Sequence, residues 1–424
     1  MSNYSLKTLN NRLPVLAVPI SGTKTVTVLL MVRTGSKYES KKENGLSHFL
    51  EHLFFKGTER YPNSQALAAA FDQVGGEYNA FTSKEYTGFW VKVAAAKLEI
   101  ALDLVSDMLL NSNFKADDIE REKGVIVEEL NMYEDNPLFK IEDLFESCLY
   151  GDSPAGRDVG GTVANVKLFK RPDFVKYFSR QYGANSSTLV LAGRLPKNYL
   201  NLAKKYFLAF PKNNWRDKVK VKELQKKPQL LAKYKKTDQT TLSLGVRAFP
   251  SGHKDEFVLK VLAVILGGSM SSRLFSEIRE QRGLAYSVRT SAEIYTDTGY
   301  LTTTSGIRLG KEAAAVKVIL DNYRLLSTEL VSESELRRTK DMYKGRLAIS
   351  LESSDSLANW YGNQAVIKKP LTTPEEYLKK IEAVSALDLR RVARKIFKNE
   401  NLNLALIGPG GKTKQLALQK ILKF

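Results

Sequence analysis

The stretch Val26-Thr-Val-Leu-Leu-Met-Val32-Arg33-Thr-Gly-Ser36 occurs in two versions in this chain. Its counterpart is Thr241-Leu-Ser-Leu-Gly-Val-Arg247-Ala-Phe-Pro-Ser251, which matches Arg33 to Arg247 at an offset of 214 residues. Further matches lie outward from it. Thr87-Gly-Phe-Trp-Val-Lys-Val, running on to Val105, resembles Thr298-Gly-Tyr-Leu-Thr-Thr-Thr, running on to Leu320, at an offset of 211. Thr188-Leu-Val-Leu-Ala-Gly193 resembles Asn403-Leu-Ala-Leu-Ile-Gly408 at an offset of 215. Matches in the same order at nearly the same offset make the chain two copies of one domain, about 1–210 and 237–424. The length of 424 residues agrees, at roughly 150 residues per domain.

Each copy mixes strands with helices. Val26–Val32 and Leu242–Val246 are apolar, β-branched runs of strand length. Ala94–Leu109 and Glu312–Leu326 place apolar residues at helical spacing. Sheets with amphipathic helices packed on them give an α+β or α/β sandwich, with the strand order left open.

Between the copies, residues 212–236 carry ten Lys and Arg against Asp217 and Glu223. We expect 211–236 to be a solvated basic linker, the alternative being a basic arm for an acidic partner. The chain as a whole has a formal net charge of +19, but no DNA- or RNA-binding signature accompanies it, so no nucleic-acid partner is expected. Composition excludes other classes. At 43% hydrophobic residues the chain is not intrinsically disordered. One thiol, Cys148, closes no intramolecular disulfide and builds no Cys-based zinc site. No apolar run approaches the ~20 residues of a membrane span, and the first residues lack the apolar core of a signal peptide. A cytoplasmic protein without a membrane partner is the expectation.

The chain has three histidines, and two of them sit in Gly45-Leu-Ser-His48-Phe-Leu-Glu51-His52-Leu-Phe-Phe-Lys-Gly57. The segment reads as a helix stopped at Gly57. Positions i and i+4 share a helix face, so His48 and His52 can aim two imidazoles at one ion, with Glu51 nearly on the same face. A catalytic zinc takes about three protein ligands, an open position for water and a nearby carboxylate base. His-x-x-Glu-His is the inverted zinc motif.

With these residues the sequence resembles the pitrilysin-type zinc peptidases, which include insulin-degrading enzyme and the mitochondrial processing peptidase. The resemblance covers nearly the whole chain and is closest to the half-length branch with two homologous domains. It implies an α+β fold: two domains, each a mostly antiparallel sheet packed with helices, together forming half of a clamshell. In full-length relatives four such domains enclose a chamber.

The family takes its third metal ligand from a Glu on a second helix, with 76 residues between it and the motif, and here that position is Glu129. Glu122 lies seven residues before it and shares its face, whereas Glu128 is rotated by about 100°. Glu122 resembles the family's additional acidic residue, which orients a metal ligand or the active-site water; its plain alternative is a surface charge in the first turns. Gly75-Gly-Glu-Tyr-Asn79-Ala80-Phe81-Thr82 resembles the edge strand beside the metal, where a peptide can pair as an extra strand. The resemblance makes Asn79 and Ala80 substrate-binding residues. In the second half the segment matching the zinc helix, Phe257–Val264, contains no His or Glu, and His253 reads as a surface loop residue. The family also places an Arg and a Tyr, seven apart, over the substrate; Arg279 and Tyr286 have that spacing, and Arg273 and Arg282 do not.

The expectation is therefore a zinc-dependent endopeptidase of peptides or unfolded segments, with one zinc per chain. Zinc would be held by His48, His52 and Glu129, Glu51 would be the base for the attacking water, and Arg279 and Tyr286 would serve the oxyanion. A homodimer is the expected working unit, with a heteromer open. The rival is a catalytically silent subunit that keeps the fold.

Overall fold

The computed structural model describes residues 4–424. It divides into two compact units. The first gathers residues up to Asn131, with Asp158–Val219 and Leu347–Pro374; the second gathers Met132–Arg157, Lys220–Arg346 and Glu375–Phe424. Each half of the sequence thus supplies a segment to the unit built mainly by the other.

The first unit carries strands β1 (Ser5–Thr8), β2 (Pro14–Pro19), β3 (Thr25–Val32), β4 (Glu77–Thr82), β5 (Thr87–Ala94) and β6 (Ser187–Gly193), in the order β1-β2-β6-β3-β5-β4. The second carries β7 (Gln229–Tyr234), β8 (Gln239–Arg247), β9 (Ala285–Ile294), β10 (Gly299–Arg308) and β11 (Leu402–Gly408), in the order β7-β11-β8-β10-β9. The orders superimpose strand for strand from β2 and β7 onward. In each sheet one pair is parallel, β2 with β6 and β7 with β11, and the other pairs are antiparallel. The fold is mixed α+β.

The continuous apolar run of β3 has a physical consequence: a strand with no polar face needs cover on both sides. Val26, Val28, Leu30 and Val32 face the main core, which the helices Leu46–Leu53 and Leu98–Leu110 also enter. Leu29 and Met31 face the other way, into a core with Leu357, Ala358 and Tyr361 of the Ser354–Val366 helix. That helix comes from the second half of the sequence. Its Gly362 permits the approach, since a Cβ there would lie 3.2 Å from both Leu29 and Met31 side chains. The second unit repeats the arrangement. Leu242, Leu244 and Val246 of β8 pack on the core shared with the helices Glu256–Gly267 and Glu312–Thr328. The opposite face is covered by Ile141, Phe145 and Leu149 of the Pro137–Tyr150 helix, from the first half.

The basic segment between the halves is only partly a solvated strap. Its end, Gln229–Tyr234, is strand β7, which pairs in parallel with β11 from Gln229 opposite Asn403 to Tyr234 opposite Gly408. Lys233 pairs with Glu134, and Lys235 pairs with Asp135 at 3.0 Å. Lys218 is half-buried, 3.5 Å from Glu85. The lysines around Leu230 and Leu231 mask a short strand that two neighbouring carboxylates partly neutralise. Among the described residues no helix is long and apolar enough to cross a membrane.

Candidate metal centre and peptidase site

The helix that carries both histidines, Leu46–Leu53, begins at Gly45, whose φ of 107° is left-handed and costs a glycine little. The helix has no side-chain cap of its own at that position. Glu39 supplies one from the preceding loop: the Gly45 N–H donates to its Oε2 (2.8 Å) and the Ser47 N–H to its Oε1 (2.6 Å). A carboxylate at a helix N-terminus meets the positive end of the dipole and satisfies donors that the helix leaves open. Leu46, Phe49, Leu50 and Leu53 are buried, which fixes the helix's rotation and leaves His48, Glu51 and His52 half-buried on the remaining face. The second element is the Ala116–Asp135 helix, in which Ile119 and Ile126, seven apart, anchor the buried side. Glu122 is 4% exposed, Glu129 is half-buried and Glu128 is exposed.

These elements bring His48, His52 and Glu129 together with their ligand atoms within 4.8 Å of one another. Oε2 of Glu129 lies 3.6 Å from His48 Nε2 and 3.3 Å from His52 Nε2. Donors bound at ~2.1 Å around a tetrahedral zinc stand roughly 3.4 Å apart, so this set fits the ion in both donor type and spacing. Behind it, His52 Nδ1 meets Glu122 Oε1 at 2.9 Å, and Lys56 Nζ meets the other oxygen of Glu122 at 2.6 Å. A carboxylate on Nδ1 favours the tautomer that directs the Nε2 lone pair at the metal position.

The electrostatics follow from these contacts. Burial works to lower the His52 pKa, but hydrogen bonds to Glu122 and Glu129 outweigh it and raise it to about 9. Hydrogen bonds from His48 and His52 hold Glu129 far below the usual carboxylate range. Burial pushes Glu122 up, yet His52 and Lys56 prevail and leave it lowered. Without metal, Glu122 and Glu129 stay ionised and His52 holds a proton that a metal must displace.

β4 forms the edge of its sheet, beside the Leu46–Leu53 helix. Asn79 is exposed and Ala80 buried; Asn79 Oδ1 accepts the Ala80 N–H at 2.8 Å.

In the second unit, Arg279 lies in a π-helical stretch, Phe275–Gln281. Its guanidinium is 4.8 Å from the Phe275 ring centroid and 4.7 Å from that of Tyr286, so the Arg and Tyr of the expected pair are stacked together. Tyr286 is 80% exposed. Arg273 is committed to Glu335 through paired contacts at 2.9 and 2.7 Å, and Arg282 lies 3.8 Å from Glu277. His253 stacks on Phe249, with centroids 4.1 Å apart, and its Nδ1 accepts the Asp255 N–H. Sequence reasoning missed Glu39 and Lys56. Glu39 carries no spacing signal, and Lys56, although four residues after His52, acts on a partner that only tertiary packing defines.

The chain is similar to known proteins along nearly its whole length. The insulinase domain (peptidase family M16) matches residues 15–163, and the peptidase M16 inactive domain matches residues 169–343. A protein of Bacillus subtilis named as an uncharacterized zinc protease is 34% identical over 391 residues, covering 92% of this chain and 94% of its own length. A Mycobacterium tuberculosis protein of the same description is 32% identical over 418 residues, covering 97% and 94%. Among solved structures, a protease from Helicobacter pylori shares the fold at a TM-score of 0.91 and 24% identity, covering 96% of this chain and all of the other. A peptidase M16 inactive domain structure from Pseudomonas fluorescens has a TM-score of 0.89 at 19% identity, covering 96% and 99%. Repeated halves, an inverted zinc motif with its distant glutamate, and relatives matched along nearly their full length lead to one assignment: this chain belongs to the insulinase family of peptidases, family M16.

Proposed function

We propose that the chain is a zinc-dependent endopeptidase that hydrolyses peptides or unfolded protein segments, with one zinc per chain. The observation that carries this reading is the convergence of His48, His52 and Glu129, with Glu51 on the same helix and Glu122 behind His52. When bound, zinc supplies a Lewis acid for the scissile carbonyl and lowers the pKa of water toward about 7. Among the described residues, no hydrogen bond or ion pair ties up the Glu51 side chain, which suits a general base. Glu51 takes a proton from water as the new C–O bond forms, then delivers it to the amine as the C–N bond breaks. Arg279 and Tyr286 donate to the carbonyl oxygen as it gains charge. The β4 edge, with Asn79 and Ala80, holds the peptide backbone as an added strand, which leaves sequence preference to side-chain pockets. The working unit is a homodimer in which Arg279 and Tyr286 serve the zinc site of the second chain.

The test is digestion of a mixed peptide library by the purified protein, with products read by mass spectrometry. Cleavage should disappear with a chelator and return with zinc. A zinc-loaded, folded protein that cleaves nothing would instead favour a silent subunit.

A further inference from the structure

We propose that Lys56 is a positioning residue for the metal centre and that it acts through Glu122. This rests on the zinc-peptidase reading and extends it to a residue outside the motif. Glu122 is almost wholly buried, and its two oxygens have different partners: Oε1 meets His52 Nδ1 at 2.9 Å and Oε2 meets Lys56 Nζ at 2.6 Å. A buried carboxylate held at only one oxygen retains an unpaired, desolvated acceptor and freedom to rotate. Held at both, it has one orientation, and so does the imidazole it touches. Groups behind a metal ligand set ring orientation and tautomer in this way.

The chain fixes Lys56 itself. It lies four residues after His52, on the same side of the turn that closes the helix, and its N–H donates to Leu53 O at 3.1 Å. Gly57 follows with φ 129°, and a Cβ there would come within 2.7 Å of Tyr61 O, so the turn has little room to shift. An exposed ion pair would contribute little, but here the carboxylate side is 5% exposed and the lysine side 29%. His48 has no equivalent support: its Nδ1 is buried without a hydrogen-bond partner among the described residues. Orientation of the His52 imidazole therefore depends on the His52–Glu122–Lys56 line.

The experiment measures zinc release to a chromogenic chelator from the full chain and five variants. These are Lys56→Met, Lys56→Gln, Lys56→Arg, Glu122→Gln and the double variant Lys56→Met/Glu122→Gln. Lys56→Met and Lys56→Gln should release zinc about tenfold faster, in the range usual for loss of outer support at a metal site. Lys56→Arg, which keeps a cation in reach, should restore most of the difference. The double variant should match Glu122→Gln alone, because a residue acting through another adds nothing once that other is gone. A merely structural role would give additive losses and a lowered melting temperature of the metal-free protein. Release from folded Lys56→Gln within about twofold of wild type, or additive losses, overturns the inference. Wild-type protein that takes up no zinc overturns the peptidase reading together with it. Tight wild-type binding without peptide cleavage removes only the peptidase reading.

Discussion

Glu129 and His52 stand 77 positions apart in sequence, yet a carboxylate oxygen of one lies 3.3 Å from the Nε2 of the other. That single contact joins two helices into the candidate metal centre. It also explains why the neighbouring Glu128, which is exposed, cannot substitute. Glu129→Gln should lower bound zinc in the purified protein, because an amide is a far poorer ligand than a carboxylate. Glu128→Gln should leave zinc content unchanged. Metal analysis showing the reverse order would move the ligand and rotate the helix register.

Glu51→Gln separates the base from the ligands. Hydrolysis should fall by about 100- to 10,000-fold, the usual cost of losing a general base, while zinc stays bound. Peptide turnover within about tenfold of wild type would take Glu51 out of that role.

The surroundings of Asp255 give a prediction about pH. It precedes the Glu256–Gly267 helix, and its Oδ1 accepts from Arg391 at 2.8 Å. Burial pushes its carboxyl up, but Arg391 outweighs burial and leaves it below the ordinary value of 3.8. A depressed folded-state pKa stabilises the protein above the unfolded value, and the contribution disappears as pH falls through the folded one. Asp255→Asn should thus melt about 1–2 °C lower than wild type at pH 7, consistent with about 1 kcal/mol for a pair whose arginine is half exposed. The gap should narrow as pH falls below the ordinary carboxyl value of 3.8 and protonates Asp255 in the folded protein. Calorimetry showing a gap that is constant with pH would assign the loss to packing instead.

The legibility of the sequence follows from distance along the chain. His48, Glu51 and His52 lie within two helical turns, so their shared face is a matter of period alone. Glu122 and Glu129 share a face for the same reason, but joining that helix to the first required the family's spacing. The two-domain repeat is visible because Val28, Leu30 and Val32 of β3 recur as Leu242, Leu244 and Val246 of β8. Their burial on both faces demanded covering helices, yet nothing local says that Ser354–Val366 covers one sheet and Pro137–Tyr150 the other. β7 was hidden because Lys233, Lys235 and Lys236 outweigh its short apolar core in any window. Glu39 as a cap has no sequence period to reveal it, and Lys56 as a brace acts on a partner that only tertiary packing defines.

Arg279 and Tyr286 stack on one another, with Tyr286 largely in solvent. As the proposed donors to the carbonyl oxygen, they need a partner surface. An exposed donor pair stabilises charge only where water is excluded, and association with a second chain is one way to exclude it. A twofold dimer gives two equivalent sites, each with the zinc ligands of one chain and the Arg/Tyr pair of the other. The test is complementation between a Glu51→Gln chain and an Arg279→Ala/Tyr286→Ala chain, each inactive alone. In a mixed dimer one shared site carries both elements intact and the other carries neither. Peptide hydrolysis should therefore return on mixing, toward one half of wild-type activity per mixed dimer, and should track the fraction of mixed dimers measured by native mass spectrometry. Demonstrated subunit exchange without recovery would mean that Arg279 and Tyr286 do not serve the partner's zinc site.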